Sequence, residues 1–102
     1  MSKLHKLIIK PNAIEDIREI RNWYNEQSIN LGDRFTATLD ESLTRVARYP
    51  NSFARVYRKI RRINLQKFPF QIFFVFDDTL KCVFVVGVFH TARNPNIWKL
   101  RN

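Results

Sequence analysis

The chain has 102 residues, 45% of them hydrophobic and nine of them Phe, enough to bury about two-thirds of its unfolded surface and to exclude wholesale disorder. Lys and Arg outnumber Asp and Glu by 18 to 9, a net charge of +9 that points to an anionic partner, nucleic acid or an acidic protein. One cysteine, Cys82, and two histidines exclude an internal disulfide framework and a multi-cysteine zinc site, so neither metal nor cofactor is expected.

The first segment, residues 4–10, alternates loosely and centres a strand on Leu7-Ile8-Ile9, with Pro11-Asn12 stopping it. Asn12 then reads as an N-cap with Glu15 completing a capping box. Ala13, Ile14, Ile17, Ile20, Trp23 and Tyr24 follow at helical spacing, with Glu15, Asp16, Arg18, Glu19 and Glu26 opposite them. Residues 28–32 form a short connector. A second helical stripe runs through Phe35, Leu39, Leu43, Val46 and Ala47 until Pro50 ends it. Two helices so joined make an αα-hairpin.

After Pro50 the period changes from helix to strand. Residues 60–65 mix apolar and basic side chains, while 70–76 and 83–89 are aromatic and β-branched, with Asp77-Asp78-Thr79 as the turn between them. Alternation puts Phe70, Ile72, Phe74 and Phe76 on one face and Phe73 and Val75 on the other. Both faces are apolar, so something beyond the two helices must shield the second: the C-terminal tail, a loop or another protein. The expected fold is α+β: an N-terminal strand, an αα-hairpin and a three-stranded antiparallel meander. The helices pack on one face of a single sheet, expected to be antiparallel over residues 7–9, 60–65, 70–76 and 83–89. No secretory h-region opens the chain, and its longest apolar run, residues 82–89, is far short of the ~20 residues of a membrane span. One cytoplasmic domain, residues 1–102, is the expectation.

Between Arg55 and Lys67 stand six cations, Arg55, Arg58, Lys59, Arg61, Arg62 and Lys67, and no acid. They read as contacts for phosphates or an acidic partner, against the alternative of edge-strand protection. Phe68-Pro69-Phe70 marks a strand start rather than a site. His90, with Arg93 three residues on, could bind a phosphate or act as a general base. The competing reading is a histidine that holds the strand end. His5 reads as uninvolved, Cys82 as a buried thiol, and Trp98 as folding the tail back onto the sheet.

In order and spacing, these elements resemble the RelE/ParE superfamily of toxins from bacterial type II toxin–antitoxin modules. The carrying residues are Ala13-x-x-Asp16-Ile17, Trp23-Tyr24, Gly32-x-x-Phe35, Pro50 and Ile60-Arg61-Arg62. Phe68-Pro69-Phe70, Val85-x-x-Val88-x-His90 and Arg93-x-Pro95-x-x-Trp98 complete the series. The resemblance implies a growth-inhibiting toxin and a cognate acidic antitoxin that binds it in a hetero-oligomer. Phe73, Val75 and Trp98 are the candidate antitoxin contacts. The cations at 55, 58, 59, 61, 62, 67 and 93 are the candidate contacts for the target. RelE-type members cut messenger RNA on the ribosome, and here His90, Arg93, Arg62 and Lys67 would have to assemble that chemistry. Gln71 stands where RelE commonly has an arginine, and no tyrosine follows Tyr57. The His90-x-x-Arg93-x-Pro95 ending is more similar to ParE-type members, which poison DNA gyrase.

Overall fold

Pro11 opens the first helix instead of merely closing the strand before it. The computed structural model describes residues 4–92, with β1 (Lys6–Ile9) followed by α1 (Pro11–Gln27) and α2 (Leu31–Arg48). A 3-10 turn at Pro50–Ser52 leads to β2 (Arg55–Tyr57), β3 (Ile60–Asn64), β4 (Phe70–Asp77) and β5 (Cys82–His90). Lys10 is the N-cap of α1, with no side-chain capping bond, so the Asn12–Glu15 capping box does not form. Proline wins the start because its φ is already helical and its missing N–H would be unpaired at that position anyway.

The five strands form one sheet in the order β1-β5-β4-β3-β2. The last four make the antiparallel meander, but β1 runs parallel to β5, pairing Lys6 with Cys82 through Ile9 with Val85. The sheet is therefore mixed, not antiparallel throughout. The two helices carry the chain from β1 to β2 at the opposite edge, and the meander then works back across the sheet until β5 lies beside β1 and parallel to it. The edge strand β2 is an element that the composition of residues 55–57 did not signal.

Both helices pack on one face of the sheet. Ala13, Tyr24, Phe35, Leu39, Leu43 and Val46 meet Ile63, Ile72, Phe74, Val83, Val85 and Val88 in one core. On α1 the inward line is Ala13, Ile17, Ile20 and Tyr24, whereas Ile14 and Trp23, expected within the stripe, stand more than half exposed. The helices close tightly at Gly32, whose missing Cβ would lie 2.4 Å from the Arg21 carbonyl oxygen. The Gly32 N–H, an unpaired donor at the start of α2, is taken up by Asn25 Oδ1 at 2.8 Å. Near the other end of α2, His5 bonds the Ala47 carbonyl twice, through its backbone N–H and through Nδ1, each at 2.8 Å. His5, read from sequence as uninvolved, fastens the entry to β1.

The opposite face holds a second, smaller core of Ile60, Phe73, Val86 and Phe89, each no more than 3% exposed. These four side chains are already covered within the chain, so they do not need a partner to shield them. Between the two cores, β5 carries a bulge. Phe74 pairs with Val85 but its neighbour Phe73 pairs with Gly87, leaving Val86 as the additional residue. The bulge returns Val88 to the helix-facing core with Val83 and Val85. Strict alternation would have turned it outward. No helix among the described residues is long and apolar enough to cross a membrane.

Candidate functional site

Three clefts receive the candidate side chains, the first and third near one end of the sheet and the second at the other. In the first, α1 and the end of β5 bring Asp16, Glu19, Ile20, Trp23, Phe70, Val88 and His90 together. Asp16 sits there because β1 leaves the edge of β5 after Ile9; the next free donor, Val88 N–H, bonds Asp16 Oδ2 at 3.1 Å. Helical spacing from Ala13 could have signalled this, since position 16 lies on the inward face one turn on. His90 stacks edge-on against Phe70, centroids 5.2 Å apart, and its Nδ1 accepts the Ala92 N–H at 3.0 Å. That bond occupies Nδ1 with the chain's own backbone, as the reading of His90 as a strand-end fastener expects.

The second cleft lies at the sheet end where the β2–β3 and β4–β5 turns meet, and it contains Arg55, Lys59 and Arg61 with Asp77 and Asp78. Arg61 is held in place by the loop before β2, with Nη1 donating to the Phe53 carbonyl at 2.6 Å and Nη2 to Asn51 Oδ1 at 3.3 Å. Arg58 stands at the tip of the β2–β3 turn with its guanidinium 5.2 Å from the Tyr57 ring centroid. The third cleft places Lys67, in the β3–β4 turn, with Arg34 of α2 and the apolar Leu31, Ala37 and Phe68. Arg34 is a cation that sequence reasoning passed over, because it stands outside the 55–67 run.

Arg62 faces away from all three, exposed on the outer side of β3 opposite Phe73. Phe70, beside His90, and Phe76, beside the second cleft, are six residues apart on β4, about 20 Å at ~3.4 Å per residue. The fold therefore holds His90 apart from Arg55, Lys59 and Arg61 and turns Arg62 to the other face, while Lys67, three residues before Phe70, stands at the same sheet end as His90. Arg93 and Trp98 lie outside the described residues. Of the apolar candidates, Phe73 is 1% exposed, and Val75 packs against the same cluster while half-buried.

Residues 7–95 match the family described as ParE toxin of type II toxin–antitoxin system, parDE. The chain belongs to the ParE toxin family. No curated protein matches it. Among solved structures, the chromosomal ParDE system of P. aeruginosa superposes with a TM-score of 0.71 at 16% identity, covering 85% of this chain and 96% of that one. The isolated E. coli RelE toxin gives 0.63 at 16% identity over 94% of each chain. The RelBE2 toxin–antitoxin complex of Mycobacterium tuberculosis gives 0.64 at 16%, over 91% and 100%. This ParE-family toxin thus shares its α+β frame with both branches of the superfamily.

Proposed function

We propose that this ParE-family toxin acts in the cytoplasm by poisoning DNA gyrase, without cutting RNA, and that a cognate acidic antitoxin neutralises it. The observation that carries the first part is the separation of His90, among the described residues, from the arginine cluster. Cleavage of a ribose phosphate needs a base, an acid and cations within reach of one phosphate. Instead His90 shares its cleft with Asp16 and Glu19, while Arg55, Lys59 and Arg61 lie at the far end of β4 and Arg62 on the other face. The antitoxin part is supported by the ParDE system and the RelBE2 complex among the similar structures. Val75 supplies the accessible apolar contact, paired across the ladder with Ile60; Trp98 is its proposed companion, and buried Phe73 supports it from within the cluster. Arg58, Arg61 and Arg62 frame it with charge, so antitoxin affinity falls as salt rises. Arg93 joins the cations proposed to meet the target.

Two purified systems separate the readings. The toxin is expected to block supercoiling by gyrase and to leave ribosome-bound message intact. Message cut at the ribosome, with cutting lost in His90→Ala, would establish the RelE-like ribonuclease instead.

A further inference from the structure

The cations of the second cleft are in an unusual electrostatic position. Arg55 lies directly across the ladder from Arg61, and like charges so placed repel. Among the described residues the ion pairs are Arg18–Glu15 and Arg21–Asp33, so Arg55, Lys59 and Arg61 have no carboxylate partner there. Asp77 lines the same cleft, but its Oδ1 already accepts the Thr79 and Leu80 N–H groups, each at 2.9 Å. The two turns at this end also hold Arg58 at φ 49 and Lys81 at φ 53, left-handed positions that glycine occupies without strain. Lys6, paired with Cys82 at the start of β5, lies at this end too. A row of cations therefore runs across the width of the sheet, from β1 to β2, about 20 Å at ~4.8 Å per strand.

We infer that this cleft, about 200 Å³ in volume, binds a backbone phosphate of a nucleic-acid strand, which continues along the row. Arg55 and Lys59 reach the phosphate oxygens, and Arg61, fixed by the loop carbonyls, forms the positive wall. A polymer with a charge on every repeat suits a row of cations along one end of the sheet. Asp77 and Asp78 at the cleft can accept hydrogen bonds from base amino groups beside the bound phosphate, donors that an acidic side chain does not bring, and this favours nucleic acid over an acidic peptide. This deepens the proposed target contact and rests on that reading.

The test is fluorescence anisotropy of the full chain with a labelled DNA strand of about 12 nucleotides, within the usual range of single-strand site sizes. The double variant Arg55→Ala/Lys59→Ala should bind about tenfold or more weakly and lose about 1–2 from the slope of log affinity against log salt. Arg34→Ala/Lys67→Ala removes the same charge from the third cleft and should cost no more than about threefold. Equal losses in the two doubles would overturn the site, as would equal competition by polyglutamate of the same charge. An RNA strand of the same sequence separates the sources: equal binding assigns the phosphodiester itself, and preference for one strand assigns that nucleic acid. If strand binding fails while supercoiling is still blocked, the cleft assignment falls and the gyrase reading stands.

Discussion

At Gly32 two opposing effects of a methyl group can be weighed. In a helix interior, alanine is favoured over glycine by up to about 1 kcal/mol. A Cβ here would meet the Arg21 carbonyl oxygen at 2.4 Å and Asn25 Oδ1 at 2.6 Å, and the first of these is backbone that cannot swing aside. Overpacking of this kind costs about 1–3 kcal/mol, so Gly32→Ala should destabilise the protein. Urea denaturation measures it, and a midpoint equal to or above wild type would contradict the close approach. Tyr24 gives a second residue-scale prediction. Its ring contacts Phe35, Phe68 and Phe70 in the core, and burial pushes its phenol above the usual tyrosine value. A raised folded pKa means the folded state holds the proton more tightly. The associated stability is complete below the unfolded value near 10 and is lost as pH rises through the folded one. The stability of wild type relative to Tyr24→Phe should therefore be constant from about pH 7 to 9 and fall above about pH 10. A difference that stays flat through the alkaline range would remove Tyr24 as the cause.

At the scale of elements, the β5 bulge does the most to shape the site. It keeps Val83, Val85 and Val88 in one core and brings His90 opposite Phe70 at the mouth of the first cleft. Deleting Val86 removes the extra residue and leaves the later pairs, Phe73 with Gly87 through Phe70 with His90, in register, so the outer core loses only the Val86 side chain. That variant should keep cooperative thermal unfolding at a lowered Tm, whereas loss of the sharp transition would show that the register of β5 depends on the bulge. Both helices and the last three strands were legible in the sequence, because apolar period is a local property of the chain. Residues 60–65, 70–76 and 83–89 agree with the observed strands to within a residue or so. The parallel pairing of β1 and the edge strand β2 were not legible, because each depends on a partner distant in the chain: β5 for β1 and β3 for the three-residue β2. The inward position of Asp16 was legible in the helical spacing from Ala13, but not its bond to the Val88 N–H. The cations at 55–67 were visible in the sequence, but not Arg34 beside Lys67, nor the division of the described cations among two clefts, a turn tip and an outer face, which follows from strand register and turn position.

Across the described residues, Arg55, Arg58, Lys59, Arg61 and Lys81 gather at the sheet end of the β2–β3 and β4–β5 turns, beside Asp77 and Asp78, while α1 carries Glu15, Asp16, Glu19 and Glu26 against Arg18 and Arg21. His90 opens towards that helix, and the arginine cluster lies about 20 Å away at ~3.4 Å per residue of β4. A ribonuclease would require these groups to meet; a gyrase poison acts by binding and has no such requirement. The most direct test is the supercoiling assay with purified gyrase, run with wild type and His90→Ala beside ribosome-bound message. The account predicts that supercoiling is blocked by both proteins at concentrations within about threefold of each other, with the message intact. Removal of a general acid–base group costs about 10²–10⁴ in rate. Message cleaved by wild type and spared to that degree by His90→Ala, with supercoiling unaffected, would contradict it.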